Sequence, residues 1–221
     1  MVSYNTLIIV LGLIIDIAFI VRDGKHKDAF SIVLKTLASL MFVILAIVNC
    51  QNDVSKFVIY ALVFDCLGDF ILILRNVDSK HKNAIYVAGT LVFMIAHFLL
   101  SYYLYRIDNS CFINGTLFGF LFVAITGTYL LSVLEASKGF KVMGLIYIFV
   151  IAQTFGLSLF AHVTMKTTVS LMFMIGSMLF TLSDLILMFH KYGRKKIEIL
   201  QPIYRILYYV SQILIAICIG L

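Results

Sequence analysis

The sequence predicts an all-α, polytopic membrane bundle of eight transmembrane helices, and three observations carry that reading. Of 221 residues, 62% are hydrophobic and only 13% charged, whereas a soluble domain carries about 25% charged residues. The apolar residues fall into eight runs, each near the roughly 20 residues that cross a bilayer. The links between runs are short and hold most of the charge. Mean hydropathy is +1.07, and no polar block is long enough for a separate soluble unit. Residues 1–221 therefore read as a single integral membrane domain.

In chain order the spans are 3–21, 29–48, 57–74, 84–105, 112–134, 142–161, 168–189 and 202–221. The first carries Asp16 and lacks a basic flank or small-residue cleavage site, so it reads as a retained helix rather than a signal peptide. The second carries Lys35, the third Asp65 and Asp69, and the fourth His97. The fifth holds Gly115-Thr116-Leu117-Phe118-Gly119, a close-packing motif of membrane helices rather than a phosphate loop. The sixth carries no charged residue, and the seventh carries Asp184. The eighth opens at the chain's one proline, Pro202, and carries Tyr208, Tyr209 and Gln212. No span has an interior proline, and the short links make sequential helices antiparallel neighbours.

The net charge of +6 does not indicate nucleic acid, because the cations lie in short clusters between apolar runs. They follow topology instead. Arg22, Lys25 and Lys27 stand in the first loop, Arg75, Lys80 and Lys82 in the third, Lys138 and Lys141 in the fifth, and Lys191, Arg194, Lys195 and Lys196 in the seventh. Only Lys56, Arg106 and Lys166 stand in even loops. Positive loops stay cytoplasmic, so both termini are expected on the non-cytoplasmic side of an integral, multi-pass membrane protein. That membrane is the cell membrane in a bacterium or the endoplasmic reticulum membrane in a eukaryote. Arg205, His190 and the seventh-loop lysines read as interfacial. The four cysteines show no metal-ligand spacing; no metal and no cofactor is expected. Cys50 and Cys111 fall near loops, as a disulfide or as two free thiols.

Orientation gives the intramembrane charges a common depth. Asp16 lies six residues before Arg22, Asp69 six before Arg75, Asp184 seven before Lys191, and Lys35 seven after Asp28. At 1.5 Å per residue all four sit roughly 9–11 Å inside the cytoplasmic boundary. Asp65 lies one turn deeper than Asp69 on the same helix face. An ionisable group at such depth costs about 2.5–3.5 kcal/mol even on insertion scales, so it faces inward, pairs or reaches water. The expectation is a polar cavity in the cytoplasmic half of the bundle.

Two of these settings match. Leu67-Gly68-Asp69-Phe70-Ile71-Leu72 recurs 115 positions later as Leu182-Ser183-Asp184-Leu185-Ile186-Leu187. The same offset relates His97 to Gln212. It points to two four-helix halves in parallel orientation.

Taken together, Lys35 in Leu34-Lys35-Thr36-Leu37, Gly68-Asp69, Ala96-His97, Ser183-Asp184 and Tyr208-Tyr209-Val210-Ser211-Gln212 resemble the YhhN family of lysoplasmalogenase-like membrane proteins. Thr36 stands where that family often has Pro, and Leu100 where an aromatic is common. The resemblance implies a membrane hydrolase that cleaves the vinyl-ether bond of lysoplasmalogens. The products are a fatty aldehyde and glycerophosphocholine or glycerophosphoethanolamine. Its partners would be a lysophospholipid, water and membrane lipids, with no nucleic acid. It implies catalytic roles for Asp69 and Asp184, one as general acid, and binding or supporting roles for Lys35, Asp65, His97, Tyr208 and Gln212. Asp16 is a further candidate at the same depth. Two other classes stay open on the sequence. A proton-coupled transporter would use the same charges, and a non-catalytic lipid-binding protein would need none of the chemistry.

Overall fold

A computed structural model of the chain describes residues 4–24, 26, 28–78, 80–133, 135–194 and 197–221. Ser3 and Leu134 at span ends, and Lys25, Lys27, Lys195 and Lys196 among the loop cations, lie outside the described residues. Eight helices follow one another: α1 Tyr4–Asp23, α2 Ala29–Asn49, α3 Lys56–Ile73, α4 Lys82–Ile107, α5 Cys111–Val133, α6 Lys138–Met165, α7 Thr168–Tyr192 and α8 Leu200–Cys218. All eight are long and apolar enough to cross a membrane.

The helix ends differ from the apolar runs in ways that backbone chemistry explains. Helix α6 extends past its run at both ends, from Lys138 to Met165, because in the interface a further helical turn satisfies backbone groups that would otherwise need water. Helix α3 closes in a single 3-10 turn, Leu74–Asn76. Helix α8 begins at Leu200, so Pro202 sits in its first turn, where its missing N–H has no intrahelical acceptor to lose. The predicted span ran to residue 221, but the helix stops at Cys218 and the last residues form a turn. Asp28 caps α2 by accepting from the Ser31 N–H at 3.0 Å. Thr167 and Ser170 form a reciprocal capping box that starts α7 one residue after Lys166 ends α6 in a left-handed turn, φ 51°.

The helix contacts come in related pairs. Within the first half, α1 packs on α2, α2 on α3 and α3 on α4; within the second, α5 packs on α6, α6 on α7 and α7 on α8. Between halves, α2–α8 is matched by α6–α4, and α1–α8 by α5–α4. Helix α3 also packs on α8, so the correspondence between the two sets of four helices is approximate.

Helices α1 and α5 are peripheral and turn residues such as Leu7, Ile14, Ile113 and Ile125 outward, as lipid-facing helices do. The glycine motif of α5 is what lets it seat on α6. A Cβ on Gly115 would lie 2.6 Å from the Leu157 backbone nitrogen, and one on Gly119 3.2 Å from the Gln153 Cα. Cys50, Cys66, Cys111 and Cys218 are free, so no Cys50–Cys111 disulfide forms.

Candidate active site

Seven of the eight helices wall one cavity of about 170 Å³. Its rim includes Asp23 at the end of α1, Arg75 and Asn76 in the 3-10 turn, Tyr86 in α4 and Lys191 at the end of α7. The cavity therefore opens at the end of the bundle where the odd loops lie. Its inner wall holds Asp69, Phe93, Asp184, Tyr208 and Tyr209. From Lys191 to Asp184 along α7 is seven residues, about 10 Å of helix.

The two aspartates enter by different means. Gly68 precedes Asp69, and a Cβ there would lie 2.7 Å from the Phe93 ring. Only glycine lets α3 approach α4 closely enough to bring Asp69 to the wall with Phe93 beside it. Ser183 precedes Asp184 and donates to the Tyr204 carbonyl at 2.8 Å, which pins α7 to α8.

Their surroundings are also unlike. Asp69 Oδ1 pairs with Lys35 Nζ at 2.8 Å, and Oδ2 accepts from the Ser39 hydroxyl at 2.5 Å. Lys35 and Ser39 are one turn apart on α2 and so share a face. The Tyr209 hydroxyl lies 3.3 Å from Ser39 Oγ and donates to the Lys35 carbonyl, also at 3.3 Å. Asp184 has no cation partner among the described residues; it accepts from the Tyr147 hydroxyl of α6. Both aspartates are buried, at 3% and 8% exposure. The site thus holds one carboxylate bound to a cation and one bound only to a phenol.

The Tyr208 hydroxyl is buried next to the Asp69 carboxylate but makes no hydrogen bond of full geometry. Its ring packs edge-on against Phe42, Phe93 and Tyr209.

Asp65, His97 and Gln212 do not line the cavity. Each lies one turn deeper, beyond the aromatic wall. Gln212 Nε2 donates to Asp65 Oδ2 at 3.0 Å. His97 Nδ1 meets the Thr154 hydroxyl at 3.2 Å, and its ring stands edge-on to Phe180, centroids 4.4 Å apart. These two contacts are the same contact in the two halves, since 115 positions separate Asp65 from Phe180 and His97 from Gln212. Asp16 also stands apart. It lies with Tyr209 on a second, small pocket between α1, α2 and α8. It remains within electrostatic reach of Arg205, Asp69 and Lys35, but it opens on that pocket and not on the main cavity.

Residues 30–219 match the YhhN family. The chain belongs to the YhhN family. No curated protein and no solved structure matches it. The motifs of this YhhN protein, from Lys35 to Gln212, all lie inside the matched region.

Several groups at the site went unmarked in the sequence. Ser39 follows Lys35 by one turn, which is a usable signal. Tyr147 sits in an apolar run and carries none. Arg205, read as interfacial, is partly buried and ion-paired with Asp23 at the cavity. Asp23 also accepts from Asn76 Nδ2 at 2.9 Å, tying α1 and α8 to the turn after α3. Lys191, likewise read as interfacial, lines the cavity.

Proposed function

We propose that this YhhN protein is a membrane hydrolase that cleaves the vinyl-ether bond of lysoplasmalogens. The observation that carries the proposal is the unequal pair of carboxylates, Asp69 with Lys35 and Asp184 with Tyr147, lining one cavity. Family membership supports a reaction of this class.

Vinyl-ether hydrolysis needs a proton donor, a negative group beside the developing cation, and a base for water. In the proposed course Asp184 gives its proton to the β-carbon of the vinyl ether. The double bond's electrons form the new C–H bond, and the oxygen lone pair makes an oxocarbenium ion. Asp69, ion-paired with Lys35, stabilises that ion and takes a proton as water adds to the α-carbon. As the hemiacetal collapses, Asp69 passes its proton to the departing glycerol oxygen and the hemiacetal hydroxyl gives its proton back to Asp184, which leaves a fatty aldehyde and restores both carboxyl groups. Paired carboxylates work on glycosides through a similar cation. The Tyr208 hydroxyl, on the cavity lining beside Asp69, is the group suited to hold the water. Asp65, His97 and Gln212 would brace the wall from behind, as positioning residues.

By the same reading the cavity mouth faces the cytoplasm, since the odd loops carry the cations. The head group enters there and the chain lies toward the bilayer. The test is fatty aldehyde release from a lysoplasmalogen by the purified protein. Absence of aldehyde from folded protein would refute the reading. Asp69→Asn and Asp184→Asn, each folded, should both abolish it; full activity in either removes that residue from the mechanism.

A further inference from the structure

Four cations line the cavity, and they are not equivalent. Lys35 is paired with Asp69 and Arg205 with Asp23. Arg75 and Lys191 form no ion pair among the described residues. Both lie over a single ring, that of Tyr86: Lys191 Nζ is 3.8 Å from its centroid and Arg75 Cζ 5.3 Å. Arg75 Nε is buried with no acceptor. Two half-buried cations on one ring repel each other, and a ring face offsets only about 0.5–2 kcal/mol. An anion with several acceptor oxygens would satisfy both. Arginine's fork suits phosphate in particular, and lysine adds a point charge.

We propose that Arg75 and Lys191 form an anion subsite at the cavity mouth that takes the phosphodiester of a single-chain phospholipid. The lipid identity rests on the hydrolase reading above. The subsite lies outside the carboxylates along α3 and α7, with Arg75 six residues beyond Asp69 and Lys191 seven beyond Asp184. A lysophospholipid has the same order, with phosphate at one end of its glycerol and the chain linkage at the other. Lys35, already bound to Asp69, is left to the reacting end.

A ligand that cannot be cleaved separates this proposal from the hydrolase reading. Binding of radiolabelled 1-O-alkyl lysophosphatidylcholine to the full chain in neutral detergent is the measurement. The phosphate-free 1-O-alkylglycerol, glycerophosphocholine and inorganic phosphate are the other arms. Arg75→Gln and Lys191→Gln should each weaken lysophospholipid binding about tenfold or more, the loss of one charge-assisted contact. Alkylglycerol binding should not change, and Arg75→Lys should restore most of the loss. Glycerophosphocholine and inorganic phosphate should compete only at far higher concentrations, as the chain supplies the rest of the affinity. Wild-type affinity in both Gln variants would overturn the subsite. So would an equal loss for both lipids, which would mark the residues as structural. Inorganic phosphate competing as well as the lipid would overturn the lipid assignment. None of these outcomes depends on aldehyde release.

Discussion

Lys35 on α2 and Asp69 on α3 meet at the cavity wall, with Nζ 2.8 Å from Oδ1. Both are largely buried, with side-chain exposures of 17% and 4%. Taking two charges out of water costs several kcal/mol each, and their attraction repays it only with good geometry and further hydrogen bonds. The Ser39 hydroxyl on Oδ2 and the Tyr209 hydroxyl on the Lys35 carbonyl supply such bonds. The pair also ties α2 and α3 to α8.

Removing one partner should therefore harm more than removing both. Lys35→Met leaves Asp69 charged and uncompensated, and should lower stability by about 3–5 kcal/mol. Adding Asp69→Leu should recover most of that loss. Thermal unfolding in detergent compares the two. A double variant no more stable than Lys35→Met would show that the pair is not the source of the loss.

Asp184 and Tyr147 should differ in their effect on turnover. Asp184→Asn removes the proposed proton donor and should cut kcat at least about 100-fold, the low end for general acid catalysis. Tyr147→Phe keeps the carboxyl and frees its orientation, so the loss in kcat should be smaller and the melting temperature close to wild type. Equal losses in both variants would make the phenol as essential as the carboxyl and refute a merely orienting role for it.

The α5–α6 seam offers a stability test away from the site. Gly115 faces the Leu157 backbone, which cannot swing aside as a side chain can. Gly115→Ala should cost about 1–3 kcal/mol, as overpacking does. Gly139 has no atom within 4 Å of where its Cβ would stand, so Gly139→Ala should leave the melting temperature unchanged or slightly raised.

The fold was legible in the sequence because the bilayer imposes a length and a polarity on every span. The acids were legible because a buried charge is costly and therefore rare. Depth followed from counting residues, and it brought Lys35, Asp69 and Asp184 to one cavity. Direction around the helix did not follow from counting. Asp16 has the same depth but opens on a separate pocket, while Asp65 and Gln212 share one hydrogen bond behind the wall and each keeps a buried oxygen unpaired. Tyr147 was invisible because a hydroxyl on an apolar helix carries no charge and little cost; Ser39 was marked only by standing one turn after Lys35. Arg75 and Lys191 looked like topology signals, and only the fold shows that both lie over Tyr86.

Orientation can be read from one thiol. Cys50 is half-buried at the even-loop end of α2, whereas Cys66, Cys111 and Cys218 are buried. With both termini non-cytoplasmic, a membrane-impermeant maleimide should label Cys50 from the non-cytoplasmic side. Cys50→Ser should abolish that labelling. Labelling that requires access to the cytoplasm would invert the bundle and place the cavity mouth on the other face.

Asp28 gives a pH test outside the membrane. Its carboxylate takes a hydrogen bond from Arg22 at 2.5 Å and another from the Ser31 N–H at 3.0 Å. These hold it down, the Arg22 bond first, from 3.8 to about 2. A carboxyl depressed on folding adds stability above its unfolded value, and that contribution fades as pH falls through the folded one. The contribution should be full above about pH 4–5, decline between pH 4 and 2, and stay small, as an exposed pair's does. Asp28→Asn keeps an effective cap but loses the ion pair. Its melting temperature should lie below wild type at pH 6 and converge with it near pH 2. Asp28→Ala loses the cap as well and should stay below Asp28→Asn throughout. A wild-type-to-Asn gap that is constant across this range would mean that the carboxylate's charge plays no part in holding the first loop to α2.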